Sequence, residues 1–470
     1  MLSRPDSPAD SPDPDSPDPD QPFDADRVAE FRYLPIEFDS SSGLLTCRYA
    51  LDELVFEELI EFDVAAGAAV DLEAVMPALR LVHLLAGISY YKAAAPPRIV
   101  VDGGLTPAQR ALLHAFYVDG LGEYAYQNDL DLSGLDIVAE DAEPVVAPEV
   151  GPTHRRILVP FGGGVDSIVT VDGVRGAAED TALFVVARRG DLYDAIEAPA
   201  AVTGLKILRA SRVIDPKVLR SRELGYRNGH VPVTGVISAI TVAAALLDGR
   251  DTVIMSNEWS ASSGNVERNG RLVNHQWSKS LAFEDLFRAA LAETLPVPVD
   301  YFSWLRATSE LWVANRFAGL TEFHSTFRSC NRSFHINPAD RLDHWCGVCD
   351  KCAFIDLIAS PYLSQAALAE VFDGNEPWAN PELTDTFRTL VGVSGDIKPF
   401  ECVGDVDECR VAVVLAAGRA DRADCAVLQQ VADEVRPLLP DDLSAIEAQL
   451  LGLMGPHRVP EVFVPAEFRS

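Results

Sequence analysis

The feature of this chain that most constrains its fold is a run of three glycines that follows a short apolar stretch. Ile157–Phe161 is apolar enough to predict a buried strand, and Ser167–Val174 predicts a helix. A strand, a glycine loop and a helix N-terminus together form a phosphate cradle, because backbone N–H groups close on the anion and the helix dipole adds positive potential. The glycines of this predicted loop are Gly162, Gly163 and Gly164.

Two polar residues at the start of the predicted helix extend this interpretation. Asp166 has the wrong charge for phosphate and is suited to hold Mg²⁺, whereas the Ser167 hydroxyl can donate to a phosphate oxygen. The loop lacks both the Lys-Ser/Thr pair of a P-loop NTPase and the later glycine of a dinucleotide-binding fingerprint. The alternative is a tight turn without a ligand. Two glycines would suffice for such a turn, so the third glycine and the Asp-Ser pair favour a nucleotide.

Composition and charge restrict the class of protein. With 470 residues, 48% of them hydrophobic, the chain is long enough for two or three domains with a substantial core. The formal net charge of −32 argues against broad binding to nucleic acid or to anionic membranes. The longest apolar run, Val236–Leu247, is too short to span a bilayer. We therefore expect a cytoplasmic protein without membrane insertion.

The chain divides into four predicted regions. Residues 1–26 carry Ser-Pro-Asp repeats without apolar content, which predicts a disordered acidic tail and no targeting peptide. Residues 27–147 predict an N-terminal α+β domain in which we identify no catalytic constellation. In residues 154–360 strands alternate with helices, which predicts a doubly wound parallel sheet and an α/β fold class. Residues 361–470 predict a mainly helical C-terminal region.

Three polar segments each follow a predicted strand of this sheet. They are 162–167, 188–189 and 257–259. Ligands of open parallel sheets bind beyond the carboxyl ends of the strands. The sequence therefore predicts that the three segments converge on one crevice.

Four of the eight cysteines are clustered, at Cys330, Cys346, Cys349 and Cys352. A Cys-x₂-Cys-x₂-Cys run with one upstream cysteine suits a tetrahedral structural Zn²⁺ site. An iron–sulfur cluster is the rival interpretation, and a redox Cys-x-x-Cys pair is a weaker one because it would leave two thiols without a role. We favour zinc.

Two further clusters are rich in groups that exchange protons or bind anions. The first extends over 256–262 and 273–284 and contains Glu258, His275 and Lys279, and its alternative interpretation is a solvated loop anchored by tryptophans. The second contains Arg328 and Arg332, which would share one face if they lay on a helix. These arginines are suited to clamp phosphates or carboxylates, or else to pair with local acidic residues.

These motifs resemble those of known enzymes. The segment 162–167 resembles the SGGxDS loop of the ATP pyrophosphatases, with Gly162 where that family usually has Ser. The loop and the cysteines together resemble the branch that contains the 7-cyano-7-deazaguanine synthases. A wider set of motifs resembles those of the UDP-N-acetylmuramoyl-L-alanyl-L-glutamate epimerases. These motifs are Ser-Asn-Glu-Trp-Ser-Ala, Asn-His-Gln-Trp-Ser-Lys-Ser, Asp-His-Trp-Cys-Gly-Val-Cys-Asp-Lys-Cys and Lys-Pro-Phe-Glu-Cys-Val-Gly. This resemblance extends from about Phe31 to Gly404.

The resemblance implies an ATP pyrophosphatase-like fold and an ATP-dependent isomerase of bacterial peptidoglycan synthesis. Such an enzyme adenylates the α-carboxylate of the terminal L-glutamate, converts that residue to D-glutamate, and releases AMP and pyrophosphate. Its substrate is the UDP-N-acetylmuramoyl dipeptide. ATP and Mg²⁺ would bind at the glycine loop, Asp166 and Ser167, with Arg328 and Arg332 as further nucleotide contacts. Zn²⁺ would be structural, and Lys279, His275 and Glu258 are the candidate acid–base residues.

Two rival functions differ from this one in chemistry. The first is another AMP-forming synthase of the same superfamily, which would form an amide or nitrile on a nucleobase-like or other carboxylic acid. The second is a non-enzymatic zinc module that binds nucleic acid or protein. The overall acidity and the glycine loop argue against the second. The sequence predicts no particular oligomeric state.

Overall fold

The structure is a computed structural model that describes residues 23–64, 70–146, 151–264, 266–268, 270–335, 337–395, 401 and 403–469. Most of the predicted acidic tail and part of the Lys-Pro-Phe-Glu-Cys-Val-Gly motif lie outside the described residues. Within the described part of the chain the strands are β1 Glu30–Tyr33, β2 Glu37–Asp39, β3 Leu44–Leu51, β4 Leu54–Phe62, β5 Arg98–Val101, β6 Asp136–Val138, β7 Arg156–Pro160, β8 Asp180–Ala187, β9 Lys206–Val213, β10 Thr252–Met255, β11 Val266–Arg268, β12 Arg271–Val273 and β13 Asp300–Ser303.

The α-helices of the same residues lie mostly between these strands and in the C-terminal third. They are α1 Leu72–Ala86, α2 Ile88–Tyr91, α3 Pro107–Val118, α4 Gly122–Gln127, α5 Val165–Val174, α6 Asp194–Thr203, α7 Pro216–Leu219, α8 Ser221–Leu224, α9 Val233–Leu247, α10 Leu281–Thr294, α11 Glu310–Ala318, α12 Asp350–Ala359, α13 Gln365–Val371, α14 Thr384–Leu390, α15 Val406–Ala417, α16 Ala426–Val435 and α17 Leu443–Leu450. Short 3₁₀ helices at Trp259–Ser262 and Trp277–Lys279 lie in the polar cluster identified from the sequence.

One sheet passes through both the N-terminal and the central part of the chain. Its strand order is β13-β10-β7-β8-β9-β4-β3-β1-β5-β6, with β2 paired to β3. The five strands from β13 to β9 are parallel, as the strand–helix alternation predicted. Strand β9 then pairs antiparallel with β4, so the strands of the N-terminal part extend the central sheet instead of forming a separate one.

Side chains of the central strands alternate between two hydrophobic cores, one on each face of the sheet. Leu158 and Phe184 point into a core shared with the N-terminal part, α9 and α10. Their neighbours Ile157 and Leu183 point into a second core, which α5, α11, α12 and the C-terminal helices cover. A parallel sheet must be covered on both faces because its strands are apolar on both sides, and this arrangement meets that requirement.

The C-terminal part is mainly helical, as predicted. Its helix α16 covers Ala426–Val435. Cys425 occupies the N-cap position, and Pro437 lies in a 3₁₀ turn directly after the helix. Proline lacks the N–H that an α-helix interior requires, so the helix ends before it.

One stretch of the described residues, Leu72–Tyr91, is long and apolar enough to cross a membrane by length and composition. In the structure 72% of its most apolar window is buried inside the protein, where α1 packs on α9. The stretch is therefore part of the hydrophobic core of the fold.

Candidate active site

The glycine loop joins β7 to α5 in a conformation that requires glycine at its centre. Gly163 has φ +75°, and a Cβ there would lie 2.0 Å from the carbonyl oxygen of Ala195. No L-residue fits that position without a shift of the backbone. A Cβ at Gly162 would instead meet no atom within 4 Å, so this side of the loop is open. A tight turn accounts for Gly163, whereas the open side at Gly162 leaves space for a ligand.

Two hydroxyl groups lie at the same loop. The Ser167 hydroxyl, in the first turn of α5, donates to the carbonyl oxygen of Gly164 at 3.0 Å. The Ser329 hydroxyl approaches from another part of the chain and lies 3.0 Å from where a Cβ of Gly164 would be. Sequence reasoning did not identify Ser329 as a site residue, although it directly precedes the first cysteine of the cluster.

A cavity opens beside the loop and brings two of the predicted strand-end segments together. Asp166 and Glu258 both line it, because β7 and β10 are neighbours and their carboxyl ends meet at one edge of the sheet. Lys279 lines it from the 3₁₀ helix that precedes α10. The other polar residues around this cavity are Glu310, Ser329 and Lys351.

The third predicted segment lies in a different cavity, so the prediction of a single crevice was wrong for it. Arg188 and Arg189 follow β8, which lies on the other side of β7 from β10. They line a cavity between the ends of β8 and β9 and the loop after β4, together with Asp191. Arg189 forms an ion pair with Glu61 there at 3.2 Å.

A buried arginine fixes the positions of Glu258 and Lys279. The Arg306 guanidinium donates to the carbonyl oxygen of Glu258 at 2.9 Å and to that of Lys279 at 2.5 Å. Its Nε donates to a carboxylate oxygen of Glu284 at 3.0 Å, and both side chains are only 2% exposed. One guanidinium thus connects two loops that are distant in sequence. The contacts hold the backbone of Glu258 and Lys279, and both residues line the cavity.

Buried carboxylates surround the cavity. Burial raises the pKa of Glu310 well above its usual range, and the charges of Glu258 and Asp166 raise it further. Burial likewise raises the pKa of Glu408 to about 8, with Asp405 contributing. One oxygen of Glu408 accepts from the backbone N–H of Leu311 at 3.3 Å. The other has no hydrogen-bond partner among the described residues. Such a group favours a proton or a nearby cation.

A second polar cluster contains His275 and draws on the N-terminal part of the chain. His275 Nδ1 contacts Oε2 of Glu123, a buried residue of α4. His230 Nδ1 lies 3.9 Å from the same oxygen, and the two imidazole rings are 4.2 Å apart between centroids. We identified no catalytic constellation in residues 27–147 from the sequence. The structure places Glu123, which lies within this range, in direct contact with His275, a candidate acid–base residue.

The two predicted anion-binding arginines lie in different settings. Arg328 is 16% exposed and pairs with Asp194 of α6 at 2.6 Å. Arg332 is exposed and lies in the 3₁₀ turn Asn331–Phe334. They do not share an α-helix, so the shared face that their spacing suggested is absent. Arg328 adopts the ion pairing that the sequence left as the alternative.

The four clustered cysteines converge in space. The Sγ atoms of Cys330, Cys346, Cys349 and Cys352 all lie within 4.8 Å of one another, and none forms a disulfide. Cys346 and Cys352 are 3.7 Å apart, and Cys349 and Cys352 are 3.4 Å apart. This cluster is therefore able to hold a metal ion. Ser329, whose hydroxyl lies beside the glycine loop, directly precedes Cys330.

Comparison with known proteins places the chain in a family. A family model described as the MurL N-terminal domain matches residues 22–304, and one described as the MurL C-terminal domain matches residues 326–445. The chain belongs to the MurL family. The MurL N-terminal match contains the glycine loop, Glu258 and Lys279, whereas the C-terminal match contains Ser329 and the four cysteines. Both matched parts therefore contribute to the candidate site.

Three curated relatives share the name UDP-N-acetyl-alpha-D-muramoyl-L-alanyl-L-glutamate epimerase. The protein of Xanthomonas oryzae pv. oryzae is 38% identical over 93% of this chain and 96% of its own length. That of Micromonospora sp. is 37% identical over 94% and 98%, respectively. That of Salinispora tropica is 38% identical over 87% and 89%. The similarity thus covers nearly the whole of each protein.

Proposed function

We propose that this chain is an ATP-dependent epimerase that converts the terminal L-glutamate of UDP-N-acetylmuramoyl-L-alanyl-L-glutamate to D-glutamate. The reaction would supply the cytoplasmic stage of peptidoglycan synthesis and release AMP and pyrophosphate. The observation that carries the proposal is one cavity lined both by the glycine-loop helix, through Asp166, and by groups able to transfer protons, Glu258 and Lys279. The shared name of the full-length relatives supports the epimerase role and the substrate.

The chemistry explains why an epimerase would consume ATP. The α-proton beside a free carboxylate resists removal, because the carbanion would place a second negative charge next to the first. Attack of the α-carboxylate oxygen on the α-phosphorus of ATP breaks the bond to pyrophosphate and forms a mixed anhydride. The carbonyl of this anhydride accepts the electron pair of the broken C–H bond. A proton then returns on the opposite face, and water cleaves the anhydride to release AMP.

The residues around the glycine loop would bind the nucleotide. Backbone N–H groups of Gly162, Gly163 and Gly164 and the N-terminus of α5 would hold the pyrophosphate. The Ser167 and Ser329 hydroxyls lie where they would donate to it. Because Gly162 takes the place of a serine in the resembling loop, Ser329 would supply the hydroxyl that the loop itself lacks. Arg328 and Arg332 would contribute positive charge from the segment around Ser329.

The donor set also fits Mg²⁺. Asp166 and Glu258 present carboxylates to the same cavity as the loop, and oxygen ligands are those that Mg²⁺ prefers. The charges of Glu258 and Asp166, which add to the effect of burial on the pKa of Glu310, create a negative potential that a cation would offset. Bound there, Mg²⁺ would neutralise charge on the phosphates.

The cysteine cluster fits a single tetrahedral ion better than an iron–sulfur cluster. With Zn–S bonds of about 2.3 Å, tetrahedral geometry sets the sulfur atoms about 3.8 Å apart. The separation of 3.7 Å between Cys346 and Cys352 meets that value. An iron–sulfur cluster would need room for several iron and sulfide atoms between the thiolates. Zn²⁺ would be structural, since four thiolates leave no open position.

The proton transfers would be made by Lys279, His275 and Glu258. Inversion requires a group on each face of the α-carbon or one mobile group. Lys279 and Glu258 line the cavity, and Arg306 holds the backbone of both. His275 lies on the same segment as Lys279, four residues earlier.

A paired assay tests the proposal. The protein is incubated with Mg²⁺-ATP and UDP-N-acetylmuramoyl-L-alanyl-L-glutamate, and AMP, pyrophosphate and D-glutamate in the hydrolysed product are measured. We expect all three products from the wild type. Ser167→Ala should form AMP more slowly, whereas Lys279→Met should form AMP with little D-glutamate. AMP without D-glutamate from the wild type would favour an amide- or nitrile-forming synthase instead. D-glutamate from Ser167→Ala at the parental rate would contradict the nucleotide assignment.

A further inference from the structure

The contact between Glu123 and His275 is a buried pairing of a carboxylate with an imidazole that the proposed nucleotide site does not explain. The Glu123 side chain is 7% exposed and that of His275 14%. Gln127, one turn along α4, donates to the other carboxylate oxygen of Glu123 at 2.8 Å. The carboxylate is therefore held from one side by its own helix and from the other by an imidazole 152 positions away. A buried carboxylate held in this way fixes the orientation and tautomer of a histidine.

This pairing determines which nitrogen of His275 carries out chemistry. When Nδ1 carries the proton and donates it to Glu123, Nε2 holds the lone pair on the other side of the ring. Glu123 would also stabilise the imidazolium that forms when Nε2 takes up a proton. The carboxylate need not take the proton itself. A buried acid supports a general-base histidine by orienting the imidazole and stabilising its positive charge.

The neighbouring His230 supports the same role. Its ring lies 4.2 Å from that of His275. Burial, followed by the adjacent His275, lowers the pKa of His230 to about 4, so it remains neutral at physiological pH. A neutral neighbour imposes no charge repulsion when His275 becomes protonated. The charge of Lys279 also lowers the pKa of His230, so the histidine pair lies close enough to this cavity lysine for an electrostatic interaction.

The loop that carries His275 is held rigidly between the two clusters. Asn274 accepts from the backbone N–H of Gln276 at 2.7 Å and donates to the carbonyl oxygen of Ala261 at 2.9 Å. At the other end of the loop Arg306 holds the carbonyl oxygen of Lys279. His275 and Lys279 are thus fixed relative to each other, as a pair of opposed acid–base groups must be.

We propose that Glu123 positions His275 as one of the two acid–base groups that invert the α-carbon, with Lys279 or Glu258 on the other face. This inference rests on the proposed function and assigns a catalytic contribution to the N-terminal part of the chain. On one face a proton passes between the α-carbon and His275 Nε2, and on the other face a second group exchanges its own proton. When the C–H bond breaks, its electron pair moves into the carbonyl of the mixed anhydride, and it returns when the new C–H bond forms.

The test follows three products of one reaction in D₂O with Mg²⁺-ATP and UDP-N-acetylmuramoyl-L-alanyl-L-glutamate. They are AMP, deuterium at the α-carbon of L-glutamate in the product, and D-glutamate. The variants are His275→Asn, Glu123→Gln and Glu123→Asp, with Glu140→Gln as the control. Glu140 is an exposed residue of the same part of the chain, so its substitution should change none of the three signals. Thermal denaturation of each variant verifies folding.

We expect AMP formation near the wild-type rate in every variant. D-glutamate formed per AMP should fall about 10²-fold in His275→Asn, the lower range of what acid–base catalysis contributes. It should fall less in Glu123→Gln and be partly restored in Glu123→Asp, which keeps the carboxylate. Deuterium in the L-glutamate of His275→Asn would assign His275 as the proton donor, and its absence would assign His275 as the base. Both results support the proposal.

Three results would overturn it. An unchanged ratio of D-glutamate to AMP in His275→Asn would exclude His275 from the proton transfers. Equal losses of AMP and D-glutamate in the Glu123 variants would make the pairing structural. A metal ion measured by elemental analysis in addition to that of the cysteines, and lost in Glu123→Gln, would make the cluster a metal site, since its three donor atoms lie within 4.8 Å of one another. A wild type that forms neither AMP nor D-glutamate would instead overturn the proposed function, and this inference with it.

Discussion

The protein contains two groups of buried carboxylates that differ in what surrounds them. In the helical C-terminal part, Asp356 and Glu376 enclose Arg422, which is 0% exposed. Beside the glycine loop, Asp166, Glu258 and Glu310 line a cavity together with Lys279 and Lys351. The first group is packed around a fixed cation, whereas the second lines a cavity.

The difference separates charge that serves folding from charge that serves binding. Arg422 lies 2.9 Å from Glu376, although the contact is not aligned as a hydrogen bond, so the attraction is mainly electrostatic. Burial raises the pKa of Glu376 and the charge of Arg422 opposes this increase, whereas burial and Glu376 together raise the pKa of Asp356. Beside the cavity, the neighbouring carboxylates raise the pKa of Glu310 beyond the effect of burial. Like charges next to a cavity indicate a site that binds a cation or transfers protons.

The largest expected effect is the loss of the fixed cation. Arg422→Met leaves two buried carboxylates without their partner, which should lower the free energy of unfolding by about 3–5 kcal/mol. Urea denaturation measures this change. Arg436→Met is the matched control, because Arg436 pairs with Asp433 at the surface with its side chain 45% exposed, and such pairs contribute about 0–1 kcal/mol. Equal losses in both variants would remove the distinction between the two groups.

The next largest effect is expected on AMP formation when a carboxylate of the cavity is removed. Asp166→Asn should reduce AMP formation about 10²–10³-fold, the range for the loss of one preorganised electrostatic contact. The free energy of unfolding should stay the same or rise, since the substitution removes one of several like charges. Steady-state AMP formation and urea denaturation together test this. A variant that loses stability as Arg422→Met does, with unchanged AMP formation, would show that both groups serve folding.

A smaller effect should depend on pH. Because the pKa of Glu408 is raised to about 8, its contribution to stability is fully present below its ordinary value near 4.5 and is lost as the pH rises through 8. Glutamine does not ionise, so Glu408→Gln should not lose stability over this pH range. Without nucleotide or Mg²⁺, the variant should be more stable than the wild type at pH 8.5 by about 1–3 kcal/mol, the cost of an unsatisfied buried polar group. The difference should shrink toward pH 5. A difference independent of pH would contradict the raised pKa.

The smallest expected effect concerns the hydroxyl beside the loop. Ser329→Ala should lower kcat/KM for ATP about tenfold, the effect of losing one hydrogen bond to a charged group. Ser333→Ala is the control, since Ser333 is a buried serine of the adjacent 3₁₀ turn that does not line the cavity. A similar decrease in both variants would assign the effect to packing around the cysteines.

The sequence predicted the elements that depend on local patterns. Strand β7 lies within one residue of the predicted strand at both ends, and the helix after the glycine loop begins within two residues of its predicted start. The convergence of the cysteines followed from their spacing. These features depend on neighbours a few positions apart, which sequence periodicity reports directly.

Features that depend on distant partners were not predictable from the sequence. The antiparallel pairing of β9 with β4 joins residues about 150 positions apart, and no local signal marks it. Glu123, Glu310 and Glu408 resemble ordinary helix residues in sequence, and only the fold brings them to histidine, lysine or one another. Arg188 and Arg189 follow β8, which lies between β7 and β9, and the sequence does not show that they line the cavity on the β9 side.

The most direct test of the account is transfer of oxygen from the substrate to AMP. UDP-N-acetylmuramoyl-L-alanyl-L-glutamate labelled with ¹⁸O in the α-carboxylate of glutamate is converted with Mg²⁺-ATP in unlabelled water, and AMP is analysed by mass spectrometry. If the carboxylate attacks the α-phosphorus and water then attacks the carbonyl carbon, one ¹⁸O atom passes into the phosphate of AMP. AMP without ¹⁸O, formed together with D-glutamate, would contradict adenylation of the α-carboxylate followed by attack of water at the carbonyl carbon.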